Sequence, residues 1–199
     1  MIEPLPRSHV FLEREWDEPV TSEWLHASLD EASPCFDLHR VRWHESFLSG
    51  DSRRVCCHFS APDAESLRSA FREQYPAYAA AQAPMSGLDG ARVFRYWPGT
   101  IYEAPGLADA DRAAANVVVS RNFDAPVVLS DLQAVEDAHG HCLRLHNVRF
   151  VRSYHSLDRR RMVCLYAAPD AESVRTAQRQ ATMPVDAVWA FRRLLPGEG

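Results

Sequence analysis

The stretch Ala61-Pro62-Asp63-Ala64-Glu65-Ser66 returns unchanged later in the chain, as Ala168-Pro169-Asp170-Ala171-Glu172-Ser173. The match extends on both sides: residues 9–73 align with residues 116–180 at a constant offset of 107 without a gap, and 28 of these 65 pairs are identical. Solenoid repeats have periods of roughly 20–50 residues, so a period of this length corresponds to a whole domain. The sequence therefore predicts two tandem copies of one domain.

Hydrophobic periodicity predicts the order strand, helix, strand, strand, helix, strand in each copy. In the first copy the strands are predicted over 9–16, 38–48, 53–60 and 91–97, and the helices over 21–32 and 63–75. The second copy repeats this order and ends with a strand over 187–194. This is the ferredoxin-like (βαββαβ) unit, in which two helices cover one face of a four-stranded sheet. Because two such units can bury their open faces, we expect an α+β protein that forms an intrachain pseudo-dimeric α/β barrel.

The same alignment gives the domain boundaries. The first ferredoxin-like repeat is expected over 9–97 and the second over 116–195. Residues 98–115 contain Pro, Gly, Asp and Ala without periodicity and are predicted to be a linker. The segment Ser49-Gly50-Asp51-Ser52 is typical of a hairpin turn, and Asp63 with Glu65 is most simply a helix start, as is Asp170 with Glu172.

Composition excludes several classes of protein. Hydrophobic residues make up 46% and charged residues 25%, and no apolar run approaches the roughly 18 residues of a membrane span. All 22 basic side chains are arginine, which suggests a GC-rich bacterial genome, and with 27 acidic residues the net charge is -5. This balance gives no sign of a nucleic-acid or anionic membrane partner. Five cysteines and a start without a basic, apolar leader argue against a secreted disulfide scaffold, so we expect a cytoplasmic protein.

A series of short motifs gives the second copy a family resemblance. It contains His146-x-Val148-Arg149-Phe150-x-x-Ser153-Tyr154, then Cys164-x-Tyr166-x-Ala168-Pro169, then Pro184-Val185-Asp186. This series resembles the small bacterial nickel-binding-protein-like family, in which His-x-Val-Thr-Trp-x-x-Ser-Tyr precedes Cys-x-Tyr-x-Ala-Pro and a later Pro-x-Asp. The resemblance covers nearly all of residues 116–192. It implies a ferredoxin-like fold that pairs as a dimeric α/β barrel, and it makes nickel the first metal to test.

The first copy departs from the family pattern. Trp43 keeps the aromatic residue, but Phe47 and Phe59 replace the two tyrosines, and the segment around Pro84 carries an insertion. Two hydroxyl groups are therefore absent from one half. A function that needs those phenols is expected in the second half alone.

The candidate metal ligands form a Cys-x-x-x-His motif in each copy. Imidazole together with thiolate suits nickel, zinc or copper. The alternative is that the two cysteines are small buried apolar residues and the histidines hydrogen-bond locally. The candidate ligands are Cys35 and His39 in the first copy, and His139, His141, Cys142 and His146 in the second.

A second candidate site is a ligand cavity on one face of the two sheets. Glu45 and Arg152 hold equivalent positions with opposite charge, so they either pair across the pseudo-twofold axis or mark the polar end of a cavity. The alternative is an exposed sheet edge at which both charges are solvated. Strand alternation predicts that the following residues share one face of their sheets: Trp43, Glu45, Phe47, Arg152, Tyr154, Cys164 and Tyr166. Cys57 and Phe59 are expected on the same face.

Two functions remain open from the sequence. The first is a protein that binds or senses a divalent transition metal, nickel by resemblance, with a metal ion or small molecule as its only expected partner. The second is a cofactor-independent cyclase, isomerase or oxygenase acting on a small aromatic or polyketide-like substrate, by analogy with other barrels. In that case Tyr154, Tyr166 and Arg152 would orient the substrate, and His146 could move protons.

Overall fold

The computed structural model describes residues 7–75, 90–138 and 140–197 of the chain. It divides into two compact units, the first of residues 1–99 with 192–199 and the second of residues 100–191. Two strands cross these boundaries, one between Gly99 and Thr100 and the other between Phe191 and Arg192. Each unit contains a sheet and helices, which is what the predicted α+β class requires.

The first unit contains four strands and three described helices. Its elements are β1 (Ser8–Glu15), α1 (Ser22–Glu31), α2 (Ser33–Leu38), β2 (Arg42–Ser49), β3 (Arg54–Ala61), α3 (Ala64–Gln74) and β4 (Val93–Glu103). The strands lie in the order β4-β1-β3-β2, and the neighbouring strands run antiparallel. The two outer strands therefore follow the two helical segments, and β1 and β3 form the centre of the sheet.

The second unit repeats this arrangement. Its elements are α4 (Asp109–Ala113), β5 (Val117–Asn122), α5 (Leu129–Ala138), α6 (Gly140–Leu145), β6 (Arg149–Ser156), β7 (Arg161–Ala167), α7 (Ala171–Gln180) and β8 (Ala187–Leu194). The strand order is β8-β5-β7-β6, again antiparallel. The strand predicted over 187–194 is found with those bounds.

In each unit one face of the sheet packs against the helices, and we call it the helix face. In the first unit Leu12 and Cys57 of the central strands share a buried cluster with Leu25 of α1 and Phe71 of α3. In the second unit the corresponding cluster joins the strands β5 and β7 to α7, and it includes Val119, Cys164, Val174 and Ala177. Alternation along a strand then sends the neighbouring side chains to the opposite face.

The local motifs fold as the sequence predicts. Asp63 caps α3 by accepting a hydrogen bond from the Ser66 backbone N–H at 2.7 Å, and Asp170 caps α7 in the same way. The hairpin turn after β2 places Ser52 at φ 56°, a left-handed conformation that non-glycine residues adopt chiefly in turns. The carboxylates of these motifs therefore act as helix starts.

Two segments differ from the expected assignment. The strand predicted from residue 38 begins only at Arg42, because Pro34 starts the short helix α2 and Phe36 of that helix is buried in the first core. Residues 98–115, expected to be a linker, contain the end of β4 and the helix α4. No helix in the described part of the chain is long and apolar enough to cross a membrane. All five cysteines are free thiols.

Candidate functional site

The Cys-x-x-x-His motif of the first unit lies at the short helix α2. Cys35 is half-buried against the first core. His39 follows the end of the helix, and its Nε2 lies 3.0 Å from Oε1 of Glu73 on α3. The imidazole thus connects the end of α2 to α3, which is the local role that the alternative interpretation expects.

The corresponding motif of the second unit lies at α6. Cys142 is buried in a small apolar cluster, and its Sγ lies 3.4 Å from Nε2 of His141. His146 Nε2 lies 3.0 Å from Oε1 of Gln180 on α7. His139 lies outside the described residues. Within residues 7–75, 90–138 and 140–197, no group of three or more His, Cys, Asp or Glu side chains is placed to hold a metal ion.

The expected cavity residues of the first unit are divided between two faces. Trp43 lies opposite Phe59, but the register of β2 against β3 then shifts, so that Glu45 lies opposite His58. Trp43 therefore belongs to the helix-face core, while Glu45 and the fully buried Phe47 lie on the opposite face. One extra residue in a β-bulge reverses the alternation beyond it, so the prediction of a common face is wrong.

The second unit contains the equivalent bulge. Phe150 lies opposite Tyr166, and after the shift Arg152 lies opposite Leu165. Arg152 and Tyr154 consequently occupy the face away from the helices, and the Arg152 Nη1 donates to the Tyr154 hydroxyl at 3.3 Å. The phenol of Tyr166 is on the helix face instead.

Cys164 and Tyr166 belong to a buried polar network around Arg121, a residue that is only 1% exposed. Arg121 donates from Nη1 to Cys164 Sγ at 3.0 Å, from Nη2 to Gln178 Oε1 at 2.6 Å and from Nε to the Pro184 carbonyl at 2.9 Å. Gln178 Nε2 in turn donates to the Tyr166 hydroxyl at 3.1 Å. This network connects β5, β7 and α7. Cys164 and Tyr166 therefore have a structural role in the second unit.

Glu45 and Arg152 are each paired within their own unit. Glu45 is 8% exposed, and its Oε2 lies 3.4 Å from Nε of Arg193. Arg152 forms a salt bridge with Glu103. The polarity of the two pairs is reversed: the acid is on β2 in the first unit and at the end of β4 in the second.

The residues expected for an enzyme are not gathered in one place. Arg152 and Tyr154 share one face of the second sheet. Tyr166 lies on the other face beneath α7. His146 is beyond the end of α6, bonded to α7.

The first unit contains a histidine cluster that the sequence analysis missed. His9 Nδ1 lies 3.0 Å from His58 Nε2, and His58 Nδ1 lies 3.8 Å from Oε1 of Glu45. The His58 ring also stacks on the ring of Phe11 at 5.0 Å between centroids. His58 is 5% exposed, so its ring lies largely out of contact with solvent, whereas His9 is partly exposed.

His44 completes the cluster from the bulge of β2. Its ring stacks on His58 with centroids 4.7 Å apart. Burial, and then the positive charges of His58 and His9, lower the pKa of His44 to about 4. Its Nε2 is buried and, among the described residues, has no hydrogen-bond partner. At neutral pH this side chain is therefore an uncharged imidazole with a nitrogen lone pair or N–H available.

One signal in the sequence could have identified this cluster. In the alignment of the two copies, three histidines of the first copy stand at positions where the second copy has no titratable residue. The three histidines lie in three separate strands. The three pairs are His9 with Asn116, His44 with Val151 and His58 with Leu165. Only the register of β1 on β3, together with the bulge of β2, brings these three positions together.

Comparison with known proteins adds one family match. The family model described as nickel responsive protein SCO4226-like matches residues 11–77 and 118–190. The two matched segments correspond to the two copies of the repeat. No protein of curated function matches the chain.

Similar solved structures share little sequence with the chain. One is an anthrone oxidase-like protein, at 12% identity and TM-score 0.46, covering 97% of this chain and 98% of that chain. A heme-binding protein from Thermus thermophilus has 11% identity and TM-score 0.47, with coverage of 96% and 95%. Chlorite dismutase from Candidatus Nitrospira defluvii has 8% identity and TM-score 0.45, with coverage of 96% and 93%. These values are too low to transfer chemistry to this chain.

Proposed function

The chain belongs to the nickel responsive protein SCO4226-like family, and on that premise we propose that it binds a divalent transition metal, nickel first, in a binding or sensing role. The site proposed is the histidine cluster of the first unit. The observation that carries this proposal is the 3.0 Å approach of His9 Nδ1 to His58 Nε2. The intrachain pseudo-dimeric barrel stays a prediction from the repeat and is not needed for this site.

The spacing of the two nitrogens fits a metal ion. A divalent ion with imidazole ligands at about 2.1 Å holds two nitrogens at right angles roughly 3 Å apart. His9 and His58 meet this separation from adjacent strands, which fixes both backbones. In the absence of metal the same separation allows one imidazole to donate a hydrogen bond to the other. Binding an ion would break this hydrogen bond and turn both rings, so that the two nitrogen lone pairs converge on the metal instead of lying along the line between the nitrogens.

Glu45 supports His58 from behind. Its carboxylate lies 3.8 Å from Nδ1 of His58, the nitrogen that does not face His9. This separation is an ion-pair distance and longer than a hydrogen bond, so Glu45 would have to move closer to His58 to orient it as a carboxylate orients a metal-binding imidazole. Glu45 is itself held by Arg193. The first unit thus supplies ligands, a nearby acid and a counter-charge for that acid.

Only two ligands are in place for the ion, because among the described residues no group of three is placed to hold one; His44, whose ring stacks on His58, is the nearest further imidazole and would have to turn to reach it. Imidazoles coordinate in the neutral form, and the lowered pKa of His44 keeps this ring neutral at pH 7. Its buried Nε2 has no partner in the described residues. Two or three protein ligands leave further positions of the ion to water, which suits reversible binding better than a closed site of four ligands.

The helix motif of the second unit is the alternative location for the same function. His141, Cys142 and His146 lie in or just after α6, and His139 precedes them. Of these, Cys142 is buried among apolar residues and His146 is bonded to Gln180. Binding there would require both side chains to leave these contacts. The histidine cluster already sets two ring nitrogens 3.0 Å apart on adjacent strands, so it is preferred.

The test is calorimetric titration of Ni²⁺ into tag-free, metal-stripped full-length protein. The second unit provides matched substitutions, since it folds with leucine and asparagine at the equivalent positions. We expect His58→Leu and His9→Asn each to weaken binding by at least about 100-fold, and Glu45→Gln by about 10-fold. The double variant Cys142→Ser/His146→Ala serves as the comparison and should bind like the unsubstituted protein.

Three other results would count against the proposal in different ways. If the Cys142/His146 variant loses binding and His58→Leu retains it, the metal is on α6 and the proposed location is wrong. If no variant changes the affinity, neither location holds the ion. If the unsubstituted protein binds no Ni²⁺ below the millimolar range, metal binding itself is wrong. Circular dichroism of each variant shows whether the fold is intact.

A further inference from the structure

The second unit contains a cavity of about 230 Å³ between α5 and the helix face of the sheet. Leu132 and Gln133 line it from the helix, Ser153 and His155 from β6, and Met162 from β7, while Tyr102 closes one side. These residues are all in one unit and take no part in the proposed metal site. The space is partly open to solvent, so a small molecule can enter it without a change of fold.

Two buried polar side chains face each other in the cavity wall. Ser153 Oγ and His155 Nε2 are 2.8 Å apart, and the residues are only 1% and 7% exposed. Burial, and then the charge of Arg121, lower the pKa of His155 to about 4. The pair is therefore neutral at pH 7 and offers a hydroxyl and an imidazole to a molecule in the cavity.

The first unit carries larger apolar side chains at the equivalent positions. There Trp43 occupies the place of Phe150, and its indole Nε1 donates to Ser46, the counterpart of Ser153, at 3.0 Å. Leu48 replaces the histidine. The second unit has thus exchanged an indole for a phenyl ring and a leucine for an imidazole. Both exchanges increase the space or the polarity at this position.

We propose that this cavity binds a small uncharged molecule with an apolar body and one hydroxyl group, of the size of a phenol. None of the described residues that line it carries a formal charge at neutral pH, which disfavours a charged ligand. At about 30 Å³ for each water-sized group, the volume holds roughly eight such groups. Tyr102 and Met162 supply an aromatic face and a thioether, which pack well on a ring.

Tyr102 is suited to form the entrance. It is 43% exposed, and its ring stacks on Phe150 with centroids 6.1 Å apart. Phe150 in turn packs edge-on against the buried ring of Tyr166. A ligand ring that enters the cavity would therefore contact Tyr102, the outer ring of this aromatic series, with its hydroxyl directed at Ser153 and His155.

The experiment is a titration of full-length protein with phenol, followed by amide NMR shifts and calorimetry, with toluene and benzoate as comparison probes. We expect one phenol per chain with a dissociation constant of roughly 0.1–1 mM, the affinity of a ligand of this size. Toluene should bind about three- to tenfold more weakly, because it offers no hydrogen bond to the pair. Benzoate should bind more weakly still.

Two substitutions taken from the first unit locate the site. Phe150 adjoins the cavity by stacking on Tyr102, so Phe150→Trp should narrow the cavity and weaken phenol binding by at least about tenfold. His155→Leu should reduce the preference for phenol over toluene to about onefold. Trp43→Phe in the first unit is the matched control and should leave phenol binding unchanged. His155→Leu also keeps the test decisive if Phe150→Trp fails to fold. Absence of phenol binding, equal binding of toluene, or full binding by Phe150→Trp would each overturn the proposal.

Discussion

The two units fold from one repeated sequence, yet they place polar chemistry on different faces of their sheets. In the first unit the histidine cluster lies on the face away from the helices. In the second unit the Ser153–His155 pair lies on the helix side, at a cavity beside which the first unit has the larger Trp43. Duplication has therefore kept one framework and given each copy a separate candidate site.

The framework itself is shared in detail. Each unit buries an arginine at the same position of its first strand, Arg14 or Arg121, next to a cysteine of the neighbouring strand. Each also starts the helix after its hairpin with a capping aspartate, Asp63 or Asp170. These residues are equal in the two copies because they serve the fold, whereas the candidate sites contain residues that differ.

The largest expected effect is on the free energy of unfolding, when the two buried arginines are replaced. Arg121→Met removes donors from Gln178, Cys164 and the Pro184 carbonyl, and should lower the free energy of unfolding by about 3–5 kcal/mol. Arg14 is also fully buried, with Nη2 3.8 Å from Cys57 Sγ and its guanidinium above the ring of Trp16, so Arg14→Met should be destabilising too, by at least about 1 kcal/mol. Urea unfolding measures both. A cost below about 1 kcal/mol for Arg121→Met would mean that its three hydrogen bonds add little to stability.

A pH effect is expected from both units, because His44 in the first and His155 in the second each have a pKa lowered to about 4; the contribution of His155 can be isolated. Free histidine titrates near pH 6.5, and the pKa of His155 is lowered to about 4 by burial and then by Arg121. Between these values only the unfolded chain takes up the proton, so stability falls as the pH is lowered from 6.5 to 4 and falls no further below. This loss should be on the order of 3 kcal/mol.

The variant His155→Leu isolates this contribution, because Leu48 occupies the same position in the first unit. Its unfolding free energy should depend less on pH between 4 and 6.5 than that of the unsubstituted protein. Thermal or urea unfolding at several pH values gives the comparison. Parallel pH profiles for the two proteins would show that His155 is protonated in the folded state.

Local sequence patterns predicted most of the framework. The order of strands and helices, the capping aspartates and the final strand over 187–194 all follow from short-range periodicity and turn residues. The prediction that a strand begins at residue 38 was wrong for two reasons. Pro34 favours the start of a helix, and Phe36 of that helix packs into the core. A sequence shows which residues favour a strand or a helix locally. It does not show which of two competing local preferences prevails in the folded protein.

The alignment of the two copies marks the three histidines as residues that differ, but the geometry of the candidate sites could not be predicted because it depends on strand register. The contact of His9 with His58 joins residues 49 apart through the pairing of β1 with β3. The bulges at His44 and Val151 moved Glu45 and Arg152 to the face away from the helices. A bulge requires no particular residue type at these positions, so the alternation of apolar and polar residues does not reveal it.

Charge inversion tests the reversed ion pairs of the two units. Glu45→Arg sets a cation beside Arg193 and His58, and should lower the unfolding free energy by about 2 kcal/mol. The double variant Glu45→Arg/Arg193→Glu recreates the polarity of Arg152 with Glu103 and should recover at least about 1 kcal/mol. A double-mutant cycle by urea unfolding gives this coupling. Additive single effects would show that the pairs contribute nothing to stability.

The smallest effect should be the same in both units. Asp63 and Asp170 each accept a backbone N–H at 2.7 Å, from Ser66 and Ser173, and this hydrogen bond is the first cause that lowers the pKa of each carboxyl. Removing a cap of this type typically costs about 1 kcal/mol. Asp63→Ala and Asp170→Ala should therefore lower the melting temperature equally, and the asparagine variants should restore it in both. Unequal shifts would mean that the two helices contribute differently to stability, and the framework could then no longer be treated as common to the two copies.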